Sequence, residues 1–375
     1  MHELAKRLSD RFRVIAVVPR APGSKTHERL DDVEIVRYRY APRRFETLVN
    51  DGGIVANLRR HRWKLLLVPT FVLAQAWVVW RLLRRRHVQV IHAHWLLPQG
   101  LIVALLGKIT SNMPPFLVTS HGVDLFALHG RWLNALKRFV VRRAAAVTVV
   151  STAMRVELMR IGADVTKVQI QPMGVDLKHR FTLDRSVTRS RDEILFVGRL
   201  VEKKGLAYLI DAMPAILARF PRAHLSVAGF GPERDALCAQ VRHLVLDDKV
   251  RFLGAVSQPE LPALYRRAGV FVAPFVQAAS GDQEGLGLVL VEALGCGCAL
   301  VVSDLPATRD VLGGRAGNIH VPAGNSAALA DAVIRVLADV NAHWAGAAAA
   351  HADIERRFDW SNVSDRYAQI LGVVG

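Results

Sequence analysis

The feature that most constrains the fold is a regular alternation of short, continuously apolar runs with longer helical patterns along all 375 residues. The apolar runs predict strands at 13–19, 88–95, 115–121, 145–151, 168–174, 193–200, 223–231, 250–256, 270–275, 299–304 and 318–322. Helical patterns occupy 205–220, 233–243, 259–268, 287–295, 326–339 and 345–353. Because the runs are apolar at successive positions rather than at every second one, they indicate parallel strands covered on both faces. The sequence therefore predicts an α/β protein with two doubly wound domains.

The alternation is interrupted once, near "PMGVDLKHRF" (172–181), where a polar stretch follows up to Asp192. A chain of 375 residues is long enough to bury two separate cores. We therefore predict an N-terminal domain over 1–175 and a C-terminal domain over 176–355. The last segment, 356–375, is predicted to be a helix that packs back on the N-terminal domain.

The net charge of +17 is carried by the first half of the chain. Residues 1–180 contain 30 of the 50 basic residues but only 12 of the 33 acidic ones. This asymmetry indicates an anionic partner for the first half: a membrane surface, a nucleic acid or a polyanionic substrate. A basic, solvated face without a partner is the alternative. A nucleic acid is not expected, because no recognised binding module accompanies the charge.

The cysteine content and the first residues favour the cytoplasm. The three cysteines, Cys238, Cys296 and Cys298, are an odd number in a long chain and do not suggest a disulfide framework. Cys296 and Cys298 are one residue apart and have no cluster of further His or Cys nearby in the sequence, so we expect a turn there rather than a metal site. The opening "MHELAKRLSDRFRVIAVV" is typical of an amphipathic helix and a strand, not of a secretory signal.

The stretch 59–86, "RRHRWKLLLVPTFVLAQAWVVWRLLRRR", combines an apolar segment with basic clusters at both ends. Its apolar part, from Leu65 to Trp80, has sixteen residues and falls short of the roughly 20 that a membrane-spanning helix needs. Together with Trp63 and Trp77, the pattern is compatible with a helix at a membrane interface. A buried helix of an α/β domain is the alternative.

Glycines and charged residues gather after several predicted strands, where ligands bind in open parallel sheets. "GRLVEKKG" follows strand 193–197 and offers Arg199 and Lys204 between glycines, which favours phosphate binding. Gly229, after the next strand, is expected to leave room for a close ligand. His121 lies at the tip of strand 115–120, where it is expected to face a cleft.

The stretch "QEGLGLVLVEAL" (283–294) places Glu284 before two glycines and Glu292 eight residues later. Since glycine in a helix interior costs about 1 kcal/mol relative to alanine, we predict a loop that ends near Gly287 and leads into a helix. The amides from Gly287 to Val289 would then favour an anion. Carboxylates do not bind phosphate, so the two glutamates would bind hydroxyl groups. Phosphates between two polyols describe a nucleotide sugar.

With these motifs in order, the sequence resembles the retaining glycosyltransferases of family 4, which have the GT-B fold of two facing Rossmann-like domains with a cleft between them. The matching pieces are "VIHAHWLLPQG" (90–100), "TSHGVDL" (119–125), "VST" (150–152), "PMGVD" (172–176), "FVGRLVEKKG" (196–205), "VAGFGPE" (227–233), "SGDQEGLGLVLVEAL" (280–294) and "VPAGNSAALADAV" (321–333). They cover nearly the whole chain. The resemblance also implies a strand and a glycine-rich loop before the helix matching "HELAKRLS", within which this sequence begins.

The resemblance implies a role for each matching residue. Catalytic roles fall to His121, Glu284, Arg199 and Lys204, with Glu284 on the transferred sugar and the two cations on the diphosphate. Donor-binding positions are Gly198, Gly229, Gly285, Leu286, Gly287, Leu288, Val289 and Glu292, the last holding the ribose. His94, Gly122 and Asp124 are implied on the acceptor side. Retention by front-face displacement, with the donor phosphate as base, needs neither a carboxylate pair nor a metal.

The resulting hypothesis is a cytoplasmic glycosyltransferase on the inner face of the membrane. It would transfer a sugar from a UDP- or GDP-sugar to a lipid-linked or glycan acceptor, as in bacterial surface-polysaccharide or glycolipid synthesis. A nucleotide-sugar epimerase or phosphorylase on the same scaffold is one alternative, although no pyridoxal lysine is evident. A non-catalytic subunit that only binds the donor is another.

Overall fold

A computed structural model describes residues 1–49, 54, 57, 58, 61–313 and 319–375. Its strands are β1 Ile15–Pro19, β2 His27–Leu30, β3 Val33–Tyr38, β4 Ile91–His94, β5 Phe116–Ser120, β6 Ala146–Val149, β7 Val168–Ile170, β8 Glu193–Val197, β9 His224–Ala228, β10 Val250–Gly254, β11 Val270–Ala273, β12 Ala299–Ser303 and β13 Ile319–Val321. Every strand predicted from an apolar run is present, each slightly shorter than its run. Residue 318, the first of the last predicted strand, lies outside the described residues.

The helices follow the same alternation. They are α1 His2–Leu8, α2 Leu67–Arg85, α3 Leu101–Ile109, α4 Val123–Phe126, α5 Arg131–Arg143, α6 Thr152–Arg160, α7 Leu206–Arg219, α8 Arg234–His243, α9 Leu261–Arg267, α10 Leu288–Gly295, α11 Pro306–Leu312, α12 Ser326–Ala338, α13 Val340–Phe358 and α14 Trp360–Val374. Short 3₁₀ turns add Arg43–Phe45, Arg62–Leu66 and Glu202–Lys204, and a π-turn spans Leu96–Gly100. The predicted helix at 345–353 is the middle of the longer α13.

The residues divide into two compact units. Unit 1 comprises Met1–Val149, Glu157–Gln169 and Ser364–Gly375, and unit 2 comprises Val150–Val156 and Ile170–Val363. The segment 356–375 contains the end of α13 and the whole of α14. Residues 356–363 belong to unit 2, and residues 364–375 belong to unit 1. Asp365 accepts a hydrogen bond from Arg11 at 2.6 Å, which ties the last residues to unit 1. That 1–175 and 176–355 are separate domains stays a prediction.

Unit 2 is built on one fully parallel sheet of six strands in the order β10-β9-β8-β11-β12-β13. Strands β8, β11 and β12 are buried at every position, which explains the apolar runs that make up their sequences apart from the terminal Glu193 and Ser303. Helices α7, α8 and α12 supply the apolar side chains that cover one face. The strand order reverses between β8 and β11, so the loops after these two strands lie at the topological switch point.

Unit 1 contains a four-stranded sheet, β4-β5-β6-β7, and a three-stranded sheet, β1-β3-β2. The apolar runs did not predict β2 or β3. The first, "HERL", is mostly exposed and pairs antiparallel with β3, "VEIVRY", which has charged residues on its half-buried positions. Such a strand pattern differs from the continuous runs of a covered parallel sheet. The apolar runs therefore missed both strands, and β2 adds an antiparallel pair to unit 1.

Helix α2 follows directly on the 3₁₀ turn at Arg62–Leu66, giving 24 helical residues from Arg62 to Arg85. By length and composition this helix could cross a membrane, and only 11% of its most apolar window is buried. The helix is longer than the sixteen-residue apolar segment, because it extends beyond Leu65 and Trp80 at both ends. That the segment lies at a membrane interface without crossing it stays a prediction. One side of the helix nevertheless belongs to the protein core, since the Phe71 ring packs edge-on against Tyr38 and Tyr40 at 5.5 and 5.2 Å.

Candidate active site

The loop after β8 and the loop before α10 meet in an ion pair within unit 2. Lys204 Nζ lies 2.8 Å from Glu284 Oε2, and both side chains are largely buried. Burial alone would raise the pKa of Glu284, but the positive charges of Lys204 and Lys203 outweigh it and lower that pKa. Glu284 is therefore a carboxylate at neutral pH, able only to accept hydrogen bonds.

Lys204 occupies the centre of this arrangement. Its methylene groups pass over Gly198, whose missing side chain would contact them at 3.6 Å. Its ammonium lies 4.4 Å from the centre of the Phe275 ring, and its charge also acts on Glu292. One buried cation thus links the motif 196–205, to which Lys204 and Gly198 belong, with both glutamates of the motif 280–294.

The loop from Glu284 to Gly287 leads into α10 as predicted. Gly287 caps the helix with φ +81°, a left-handed conformation that glycine adopts without strain. Gly285 and Leu286 are buried before it, and the Gly287 N–H donates to the Glu284 carboxylate. The N–H groups of Leu288 and Val289 open the helix and have no acceptor within it. This helix end offers partial positive charge beside Lys204.

Glu292 lies inside α10, where its carboxylate accepts a hydrogen bond from the Tyr265 hydroxyl at 2.9 Å. Burial raises the pKa of Glu292, although the Tyr265 hydroxyl and Lys204 counteract it. Tyr265 is fully buried in α9, and burial together with the neighbouring Glu292 raises its pKa well above the usual value. The tyrosine therefore stays a hydrogen-bond donor that fixes the orientation of Glu292.

Two further contacts hold the loop that carries Glu284. Lys203 forms an ion pair with Asp282 at 3.2 Å and donates to the Gln283 carbonyl at 3.2 Å. The Glu202 carboxylate accepts from the Ala279 amide at 2.7 Å. The predicted basic loop "VEKKG" thus has two structural roles. Lys204 pairs with Glu284, whereas Lys203 and Glu202 anchor the loop that carries Glu284.

Arg199 differs from the two lysines. Its side chain is exposed, and it forms no ion pair within the described part of the chain. It follows Gly198 directly at the end of β8. An exposed guanidinium beside the buried Lys204 leaves its donors available to a ligand phosphate.

Gly229 needs a different explanation from the one predicted. A Cβ built on it, at φ +155°, would lie 1.8 Å from the carbonyl oxygen of Gly198. The space beside this glycine is therefore filled by the backbone after β8 rather than left for a ligand. Its role in donor binding stays a prediction, but the absence of a side chain is already required by the close approach of two loops.

Unit 1 contains a cluster of three histidines at the carboxyl ends of β4 and β5. His94 Nδ1 and His121 Nε2 lie 3.1 Å apart, so one ring donates and the other accepts. The His92 ring lies 4.2 Å from that of His94, and its Nε2 is 2.7 Å from the Thr119 hydroxyl. Burial lowers the pKa of His92 and of His121 to about 3, and that of His94 well below its usual value. All three rings are therefore neutral at physiological pH.

The geometry of Asp124 differs from the predicted acceptor contact. Its side chain is 2% exposed and accepts hydrogen bonds from the Leu96 amide at 2.7 Å and the Ser120 hydroxyl at 2.8 Å. Burial raises its pKa despite these donors and the charge of Lys137. The carboxyl group therefore joins the segments that follow β4 and β5. Gly122, with φ +112°, begins the short helix that contains Asp124.

The site residues thus form two groups. Unit 2 brings together Gly198, Lys204, Glu284, Gly285, Leu286, Gly287, Leu288, Val289 and Glu292, with Arg199 adjacent in sequence. Unit 1 brings together His94, His121, Gly122 and Asp124. Among the residues that the structure describes, no group of three or more His, Cys, Asp or Glu is placed to hold a metal ion. That the protein needs no metal stays a prediction.

Comparisons with known proteins agree with the motifs. Residues 1–179 match the family described as Glycosyltransferase Family 4, and residues 191–339 match the one described as Glycosyl transferases group 1. Together these matches include almost every residue of both groups of site residues. The chain belongs to the family 4 glycosyltransferases.

This family 4 chain is similar to characterised and solved proteins. It is 34% identical over 232 residues to a phosphatidyl-myo-inositol mannosyltransferase of Mycobacterium leprae, covering 61% of this chain and 59% of that protein. The chain therefore spans less than two thirds of that relative's length. Sucrose-phosphate synthase from Thermosynechococcus elongatus superposes with a TM-score of 0.81 at 20% identity, over 99% of this chain and 92% of the other. Anabaena HepE in complex with UDP-glucose gives 0.76 at 18% identity, over 99% and 94%. These structures establish the GT-B fold.

Sequence reasoning missed two site residues of this glycosyltransferase. Tyr265 holds Glu292 from a helix 27 residues away, and Lys137 is buried in α5, donating to the carbonyls of Leu125 and Leu128. A tyrosine within an apolar helix gives no sign that its hydroxyl has a partner. Lys137 does leave a trace, since it falls on the apolar side of α5 between Val140 and Leu133.

Proposed function

We propose that this chain is a retaining glycosyltransferase that transfers a sugar from a UDP- or GDP-sugar to a lipid-linked or glycan acceptor. The observation that carries the proposal is the buried Lys204–Glu284 pair at the start of α10. A buried cation and helix amides suit a diphosphate, whereas an ionised carboxylate beside them suits sugar hydroxyl groups. A site that offers both in one place matches a nucleotide sugar.

In the proposed reaction the leaving diphosphate gains negative charge as the glycosidic bond breaks. Lys204, Arg199 and the amides at the start of α10 are placed to stabilise that charge, and preorganised donors of this kind contribute about 3–4 kcal/mol each. Glu284 accepts hydrogen bonds from the transferred sugar, and Glu292, oriented by Tyr265, binds the ribose. A donor phosphate oxygen takes the acceptor proton in front-face displacement, and His121 contacts the transferred sugar. The cations perform the charge neutralisation, so no metal is required.

The substrate classes are supported by the relatives. The mycobacterial proteins are named for transfer of mannose to phosphatidyl-myo-inositol, and HepE has been crystallised with UDP-glucose. The first name supports a lipid acceptor, and the second supports a nucleotide-sugar donor. We propose that the chain works in bacterial surface-polysaccharide or glycolipid synthesis, in the cytoplasm. We further propose peripheral contact with an anionic membrane through the helix Arg62–Arg85, whose outer side is apolar and whose ends are basic.

The donor can be identified by thermal shift with UDP, GDP and ADP, followed by the corresponding sugars. Stabilisation by one nucleoside diphosphate, and slow hydrolysis of its sugar by the purified chain, would support the enzyme. Donor binding without hydrolysis or transfer would favour the non-catalytic subunit. If no nucleotide raises the melting temperature, the proposed function is wrong.

Replacing Glu292 and Arg199 by alanine should separate binding from turnover. Glu292→Ala removes the ribose contact, so the KM for the donor should rise about tenfold, as expected for the loss of a hydrogen bond to a charged group. Arg199→Ala should mainly lower kcat, by about tenfold or more, because its donors act on developing charge. Initial rates over a range of donor concentrations give both parameters.

Arg219→Ala is the matched control, since that arginine is exposed at the end of α7 and away from these loops. It should leave both kcat and KM unchanged. Normal transfer by both Glu292→Ala and Arg199→Ala would show that these roles are wrongly assigned.

A further inference from the structure

Helices α2, α3 and α5 pack side by side in unit 1. Helix α3 connects β4 to β5, and α5 connects β5 to β6, in adjacent parallel strands that follow one direction across the sheet. Right-handed crossovers therefore place α3 and α5 on the same face. Helix α2 packs beside α3, and α3 packs beside α5. The outer sides of the three helices thus form a continuous surface.

That surface exposes large apolar side chains on all three helices. Leu73 and Trp77 of α2 are 68% and 57% exposed, Ile109 of α3 is 76% exposed, and Trp132 of α5 is 86% exposed. Leu65 and Leu66, before α2, and Leu105 and Leu136 add to the same set. Isolated exposed apolar residues are ordinary, but a set that extends over three adjacent helices marks an interaction surface.

The charges of the three helices all have one sign. Helices α2, α3 and α5 contain nine Lys or Arg residues and no Asp or Glu. Several of these cations flank the apolar groups: the Arg84 guanidinium lies 4.9 Å from the Trp80 ring, and the Lys108 ammonium lies 5.0 Å from the Phe139 ring. A partner for this surface must therefore be anionic and must also accept aliphatic and tryptophan side chains.

We propose that the outer face of α2, α3 and α5 is a single membrane-binding surface that lies on an anionic bilayer. An anionic bilayer meets both requirements, because lipid headgroups attract Lys and Arg while Trp, Leu and Ile enter the boundary of the acyl chains. A nucleic acid meets only the first. The inference rests on the proposed membrane contact and extends it from the helix Arg62–Arg85 to Ile109 of α3 and Trp132 of α5.

The second contact region has a consequence for the site. Helix α5 follows the segment after β5 that contains His121 and Asp124, and its Lys137 donates to the Leu125 and Leu128 carbonyls within that segment. If Trp132 and Leu136 bind lipid, the membrane contacts a helix that is hydrogen-bonded to the segment containing His121. A lipid-linked acceptor would reach that cluster from the bilayer.

The test is flotation of the full chain with vesicles of phosphatidylcholine, alone or mixed with phosphatidylglycerol. We compare the wild type, Leu73→Gln/Trp77→Gln, Ile109→Gln/Trp132→Gln and a control, Val245→Asn, which removes an exposed apolar side chain from unit 2. The wild type and the control should bind the anionic vesicles. Each double variant should bind about tenfold more weakly, since each removes two inserting side chains.

Any other result would contradict a specific part of the proposal. If Leu73→Gln/Trp77→Gln weakens binding while Ile109→Gln/Trp132→Gln does not, the three-helix surface is wrong and only the single-helix contact stands. If phosphatidylcholine alone binds equally well, the requirement for an anionic bilayer is wrong. If the wild type binds no vesicles, the membrane contact itself fails. Donor-sugar hydrolysis, measured without vesicles, should be the same in all variants and reports on the proposed enzyme separately.

Discussion

Replacing Lys204 with methionine is expected to lower sugar transfer about 10²–10³-fold, the loss that follows removal of one preorganised donor to developing charge. Methionine keeps an apolar stem over Gly198 and beside Phe275 but removes the ammonium. The effect should appear in kcat, because the charge on the leaving diphosphate develops in the transition state. Steady-state kinetics with the nucleotide sugar identified by thermal shift provide the measurement.

The same substitution also leaves Glu284 buried with a weaker counter-charge, that of Lys203, and the hydrogen bond from the Gly287 amide. Removing one partner of a buried pair costs about 3–5 kcal/mol, and the remaining lysine should keep the loss at or below the lower figure. A second substitution, Glu284→Gln, removes the unpaired charge. The double variant Lys204→Met/Glu284→Gln should therefore recover much of the stability, which urea denaturation can measure.

The double variant also distinguishes a catalytic lysine from one that only holds Glu284. If Lys204 stabilises the leaving group, the double variant transfers sugar at least about 100-fold more slowly than Glu284→Gln alone. Equal rates would mean that the lysine acts only through its carboxylate partner. Lys203→Met is the matched control, because Lys203 pairs with Asp282 in the loop that carries Glu284. This substitution should lower kcat less than tenfold.

The fold could be predicted where burial dictated the sequence. Strands such as β8, β11 and β12 are covered on both faces, so apolar residues follow one another at every position except Glu193 and Ser303 at their ends. Strand β2 is an edge strand of a three-stranded sheet and β3 is its central strand, and both carry charged residues that pair with each other, as Arg37 does with Glu28. A sequence of that kind resembles a loop as much as a strand.

The sequence allowed us to predict which residues form the candidate site, but not which of them contact each other. The motifs gave Lys204, Glu284 and Glu292, since loops at the ends of parallel strands carry the ligand contacts. They could not show that Lys204 pairs with Glu284, or that Tyr265 supports Glu292, because these partners are far apart in sequence and meet only through packing. Asp124 shows the same limit: its position was evident, whereas its use in joining two loops depended on where Leu96 and Ser120 lie.

The histidine cluster should make unit 1 sensitive to acid. In the folded protein His92 and His121 have pKa values of about 3, whereas an imidazole in the unfolded chain has a pKa of about 6.5. Between these values the unfolded state binds protons that the folded state excludes, so stability falls as the pH drops. At pH 5 each of the two histidines should cost about 2 kcal/mol relative to pH 7.5.

Urea denaturation between pH 7.5 and pH 5, followed by tryptophan fluorescence, measures this loss. Five of the seven tryptophans lie in unit 1, so the signal mainly reports its unfolding. Replacing His121 by asparagine, which keeps a polar group near His94, should reduce the slope of unfolding free energy against pH by up to about 1.4 kcal/mol per pH unit, the value for one proton.

His129→Gln is the control, because His129 is exposed in the loop before α5 and lies outside the histidine cluster. Its substitution should leave the slope unchanged. A wild-type protein equally stable at pH 5 and pH 7.5 would mean that the three rings accept protons in the folded state. The cluster would then carry positive charge at mildly acidic pH, and His121 could serve the reaction as a proton donor. The neutral cluster inferred from its burial leaves His121 only neutral hydrogen bonds to offer a ligand.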